Sequence, residues 1–154
     1  MSKTLGHALI AALLLTGCIG MPEYSADPET LTQLARCPSS PNCVSSAEDR
    51  DDSHYIAPIR IQGDPAAAWQ ALQEMLAEDD SFDIVASSDR YIRAVATTKI
   101  LRFKDDVELL LDRNAETIAT RSASQIAYSD QWKNRSRVED IRQRMIDAGA
   151  AAGN

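Results

Sequence analysis

Three acids fall within four residues at Asp105-Asp106-Val107-Glu108, and a polar run, Arg121-Ser122-Ala123-Ser124, is followed by Tyr128, Asp130, Asn134 and Arg135. On a strand, Asp106 and Glu108 share a face two residues apart, a spacing that could serve a divalent cation; more often such acids form a solvated sheet face. Arg121 falls late in a strand, with Ser122 and Ser124 beside it. The loop from 125 to 133 leads into a helix whose N-terminus offers unbonded N–H groups and partial positive charge. A carboxylate or phosphate could dock there against Arg121, Arg135 and Tyr128. The plainer account has Asp130 or Asn134 cap that helix while Arg121 pairs with Asp105, Asp106 or Glu108 across neighbouring strands, which satisfies every group.

Motifs for established reaction types are missing from the chain. There is no Gly-x-Ser-x-Gly elbow, no phosphate loop and no dinucleotide fingerprint, and past the first eighteen residues His54 is the sole histidine. A Ser-His-Asp hydrolase is therefore unsupported, and no cofactor or metal is expected. An enzyme would have to rely on Asp105, Asp106 and Glu108 around a pocket with Arg121 pointing into it.

The N-terminus reads as an export signal. Lys3 precedes an apolar run, Ala8 to Leu15, that is too short to span a bilayer. Its end, Leu15-Thr16-Gly17-Cys18, resembles the lipobox of bacterial lipoproteins. The resemblance implies cleavage after residue 17 and acylation of Cys18, and three acyl chains hold a protein where one is marginal, at about 0.8 kcal/mol per buried CH₂. Ile19 stands where an Asp would resemble an inner-membrane retention signal, so the expected place is the outer membrane, facing the periplasm.

Export decides how to read Cys37 and Cys43, which sit in the proline and serine frame Arg36-Cys-Pro-Ser-Ser-Pro-Asn-Cys-Val-Ser-Ser46. A redox site would want Cys-x-x-Cys at a helix start, and a zinc site would want more than His54 as third ligand. In an oxidising compartment the expectation is a Cys37–Cys43 disulfide closing a short loop. With Lys3 removed, one of sixteen basic residues is lost and all twenty-three acids remain, so the mature chain carries about −8. That balance argues against nucleic acid as a partner, and against attraction to an anionic lipid surface.

These groups need elements to position them. Residues 1–17 read as signal peptide and 18–36 as lipidated cysteine and tether, with a short helix capped at Asp27-Pro28 and carrying Leu31 and Leu34. Residues 37–149 form a single domain and 150–154 a tail. The stretch from Ala47 to Ser53 is too charged to bury and reads as a surface loop. Ala57, Ile59 and Ile61 alternate as a strand that Pro58 confines to an edge. Asp64-Pro65 caps a helix with Trp69, Leu72 and Leu76 on its buried face. Strands follow at 82–86, 91–97, about 107–111 and 117–123, and a last helix runs from about Asn134 to Gly149 with Val138, Ile141, Met145 and Ala148 as its stripe. The expected fold is α+β: an antiparallel sheet of about five strands in β-α-β-β-β-β-α order, with both helices on one face.

Three separated motifs now combine: Cys37 to Ser46, Phe103-Lys104-Asp105-Asp106-Val107-Glu108, and Arg121-Ser122-Ala123-Ser124 with Tyr128-Ser129-Asp130 and Asn134-Arg135. In this order they resemble the domain-of-unknown-function family numbered 1499, over about Cys37 to Arg144. The family carries no established activity. This chain differs at Gln125, where arginine is common, and at Ala127 and Trp132, where glycine is common; the missing arginine weakens the loop as an anion site. The expected role is a membrane-anchored envelope lipoprotein acting as a non-catalytic binding or assembly module, for a small anionic ligand or an envelope protein. The alternatives are an envelope enzyme and a purely structural domain that makes contact near Trp132.

Overall fold

The computed structural model describes residues 30–126 and 132–153. Along these the elements are β1 (Cys43–Ser45), β2 (Ile59–Arg60), α1 (Pro65–Ala77), β3 (Phe82–Ser87), β4 (Tyr91–Thr97), β5 (Lys104–Asp112), β6 (Thr117–Ser124) and α2 (Lys133–Asp147). They build one antiparallel sheet in the order β1-β6-β5-β4-β3, with β2 also paired to β6. The expected α+β fold is present, with one strand more than the alternation revealed.

Local chemistry sets the first helix. Asp64 accepts a hydrogen bond from the Ala67 N–H at 3.0 Å, and Pro65 opens the helix, where its missing N–H costs nothing. Ala68, Trp69, Leu72 and Leu76 are buried. They meet Ile92, Ala94 and Ala96 of β4, Val107, Leu109 and Leu111 of β5, Ile118 of β6, and Ile141 and Met145 of α2 in one core cluster. Both helices therefore cover the same sheet face. Asp79, just past α1, accepts bonds from Ser81 and from Arg144 of α2, the latter at 2.7 Å. These contacts, the Ser81 hydroxyl first, hold its carboxyl below the usual aspartate range.

The far face is not open either. Leu34 packs with Tyr91 and Leu110 in a second small cluster, so the segment entering the domain lies across that side. Residues 31–36 carry no helix, contrary to the short helix expected around Leu31 and Leu34. Burial of Leu34 against the sheet, rather than an i, i+3 stripe, explains both apolar positions. Asp27-Pro28 and Cys18 lie outside the described residues, as do residues 1–17.

The two strands on the β6 edge have different origins. β2 is shorter than the alternation implied: Ile59 and Ile61 are buried, Ala57 is exposed, and the carbonyls of Ala57 and Pro58 accept from the buried guanidinium of Arg142 at 2.6 and 2.9 Å instead of from a strand. β1 pairs Cys43, Val44 and Ser45 with Ala123, Ser122 and Arg121. Three residues inside a proline and serine frame give no period to read.

α2 ends as its glycine demands. Gly149 has φ +71, the Ala150 N–H bonds to the Met145 carbonyl and the Gly149 N–H to that of Ile146, a Schellman ending. Ala148 is exposed, so the stripe stops at Met145, with Ile146 packed at its margin. The stretch expected as a tail is part of the fold. Ala151 is 1% exposed and bridges to Ile61, while the Ala152 N–H bonds to the Arg60 carbonyl at 2.9 Å.

Candidate functional site

Strand register sorts the motif residues onto two faces. Val107 pairs with Ser122 and Asp105 with Ser124, on the face that meets the helices; Glu108 pairs with Arg121 and Asp106 with Ala123, on the other. The residues proposed to gather around one ligand are therefore divided by the sheet itself.

On the far face the charges are spent on each other. Glu108 accepts from Arg121 Nη1 through one oxygen and from the Tyr91 hydroxyl through the other, both at 2.8 Å. Arg121 and Glu108 are each 6% exposed. Beside them Arg93 donates to Asp106 Oδ1 through Nη2 at 3.0 Å and Nε at 3.2 Å. The plainer account of Arg121, a cross-strand pair with an acid of β5, is the one the geometry contains.

The helix-side group centres on Asn134, which is fully buried. Its carboxamide oxygen accepts from Ser122 at 2.5 Å and from Arg137 at 2.7 Å. Its amide donates to the Asn42 carbonyl at 2.8 Å and to Ser124 Oγ at 3.1 Å. Arg137 continues the chain of contacts to Asp105. Asn134 joins the disulfide loop, β6 and α2, and Arg137 extends the group to β5. Asn134 does not cap the helix. The N-cap position is Trp132, with φ 69 and no capping side chain, and Asn134 turns instead into the sheet because Ser122 and Ser124 present hydroxyls there.

Arg135 donates to the carbonyls of Ser53 and Tyr55 at 2.9 and 2.8 Å, tying α2 to the loop before β2. Tyr128 and Asp130 lie outside the described residues. Of the acids considered for a divalent cation, Asp106 accepts from Arg93 and Glu108 from Arg121 and Tyr91, and no group of three or more potential ligands stands together among the described residues. Arg93, Tyr91 and Arg137 went unremarked in the sequence. The pairing of Arg93 with Asp106 depends on strand register, whereas Arg137 stands three residues after Asn134 on the same helix face.

Cys37 and Cys43 are bonded, with Cα atoms 5.6 Å apart. The loop they close is clamped by Glu48, whose carboxylate accepts from the Cys37 N–H and from Arg36 Nε. Glu48 is 9% exposed, which corrects the expectation that the whole 47–53 stretch is surface. His54 Nε2 approaches the Ser40 carbonyl at 3.2 Å, so the imidazole braces this loop from outside. Reducing the disulfide should cost roughly 2 kcal/mol, the chain-entropy value for so short a loop. A fall of several degrees in Tm on adding reductant, reproduced by the Cys37→Ser/Cys43→Ser variant, is the expected calorimetric result.

A two-layer α+β domain, stapled at its entry and locked by polar contacts on both sheet faces, is the class this structure defines. The family profile described as Protein of unknown function (DUF1499) matches residues 33–145, and the chain belongs to that family. No curated protein and no solved structure matches it.

Proposed function

We propose that this protein is a lipid-anchored envelope protein, exported by residues 1–17, held through Cys18 and acting as a non-catalytic binding or assembly module on the periplasmic side of the outer membrane. The observation that carries the second half is the pairing of the three acids at 105, 106 and 108. Asp105 is taken by Arg137, Asp106 by Arg93 and Glu108 by Arg121, with the three carboxylates 1–6% exposed. An anion at Arg121, or a reaction run by these acids, would require such a pair to open, and removing one partner of a buried pair costs about 3–5 kcal/mol. Work by the domain is better supported at its surface than inside it.

The lipobox resemblance and the tether before Leu34 support the anchoring half. The experiment is fractionation of cells fed labelled palmitate. The native chain should carry label and sediment with membranes, whereas Cys18→Ser should lose the label. An unlabelled native chain, or a Cys18→Ser variant still labelled, would remove the anchor from the reading.

A further inference from the structure

One end of the sheet differs from the rest of the surface. Strand β4 ends there, β5 begins, β6 ends and α2 starts. Ile100 is 90% exposed, Leu101 68%, Phe103 49% and Trp132 74%. Large apolar side chains scattered singly would need no account, but these are concentrated at one end. The turn that carries the first three is held in shape: the Thr98 N–H bonds to the Phe103 carbonyl, the Arg102 N–H to the Thr98 carbonyl, and the Phe103 N–H to Thr98 Oγ1. A hollow of about 640 Å³ separates this turn from Lys133 and Arg137 at the start of α2.

Basic side chains outnumber exposed acids at this end, where Asp80 and Asp83 share a hollow with Lys99, Arg102 and Lys104. Lys99, Arg102, Lys104 and Lys133 are all exposed, and among the described residues none of them is in an ion pair. Arg102 and Trp132 also adopt left-handed backbone, φ 55 and 69, a conformation bulky residues seldom take and one that gathers at functional surfaces. Apolar tips rimmed by lysine and arginine, with an indole at the margin, match a bilayer interface: the rings and aliphatic groups enter the headgroup boundary, and the long basic side chains reach the phosphates. The expectation from net charge, that an anionic lipid surface would repel this protein, does not extend to a local patch, because screening confines each charge to about 8–10 Å.

We propose that the β4–β5 turn and the start of α2 form a second membrane attachment, a tip that dips into an anionic phospholipid surface. Leu34, where the chain enters the core, packs with Tyr91 at the opposite end of β4. From there the tip lies about 24 Å away, the length of seven antiparallel residues. Residues 19–29 can extend to about 40 Å, so the tether would let the tip reach the bilayer that holds Cys18. The inference adds to the lipid anchor proposed above and is tested without it, so the two can fail separately.

The test uses residues 19–154 made in a periplasm, which contain every residue of the three core clusters. They are mixed with vesicles of phosphatidylethanolamine and phosphatidylglycerol, or of phosphatidylcholine alone. The expected result is sedimentation with the anionic vesicles and a blue shift in emission. The shift comes from Trp132 because Trp69 is 4% exposed and already buried, so Trp132→Phe abolishes it. Near an anionic surface each basic residue changes partition about fivefold, so Lys99→Glu/Lys104→Glu should lower binding by more than about tenfold. Leu101→Asp should lower it too, with Tm unchanged for both variants because all three positions are exposed. Absence of binding to anionic vesicles, equal binding to phosphatidylcholine, or full binding by Leu101→Asp would each overturn the proposal.

Discussion

Glu108→Ala should lower stability by about 3–5 kcal/mol, a fall of more than about 10 °C in Tm for a domain of this size. The substitution removes the carboxylate that Arg121 Nη1 and the Tyr91 hydroxyl both address at 2.8 Å. It leaves a guanidinium 6% exposed without that partner. Most of the loss is the cost of a buried charge, not the worth of the pair. The discriminating variant is therefore the double one, Glu108→Leu with Arg121→Met, which takes both charges away. It should recover most of the loss, because apolar groups of similar volume replace buried ion pairs with little penalty. Denaturant titrations of the two singles and the double give the coupling energy directly. Additive losses would mean that Arg121 and Glu108 do not depend on each other, and would return Arg121 to consideration as a ligand residue.

The second large effect belongs to Asn134→Ala, at about 3 kcal/mol. The substitution deletes two acceptor and two donor contacts at once, and leaves Ser122, Arg137 and the Asn42 carbonyl to find partners in a place water does not reach. Its signature is spatial as well as energetic. Amide exchange should rise first in β1 and the opening turn of α2, the segments that Asn134 joins, while the centre of β4 stays protected until global unfolding. Uniform acceleration across the sheet would show that Asn134 is one packing residue among many.

Much of this architecture could be read before any coordinates. Asp64-Pro65 announced α1, and the alternation from Phe82 to Ala123 laid out four strands joined by polar turns, because side-chain period and turn chemistry are local properties. What could not be read depends on contacts far along the chain. β1 exists because β6 offers an edge to three residues whose own sequence has no period. Residues 150–152 looked like a tail because Ala-Ala-Ala after a helix-ending glycine carries no signal that would dock it on Ile61. Asn134 invited the reading of a helix cap, since asparagine at a helix start usually is one; its burial follows from Ser122 and Ser124, twelve and ten residues earlier. The pairing of Arg121 with the β5 acids was legible as the plainer of two accounts. The choice among Asp105, Asp106 and Glu108 was not, because it depends on register.

β3 lies at the sheet margin opposite β1, and a bulge between Ile84 and Ala86 interrupts its pairing with β4. Its outward neighbours include Asp83, exposed, and Val85, 48% exposed. A straight apolar margin is a template on which a second copy can add a strand, and a kink with a carboxylate beside it spoils the match. That irregularity works against neighbouring copies zipping together edge to edge.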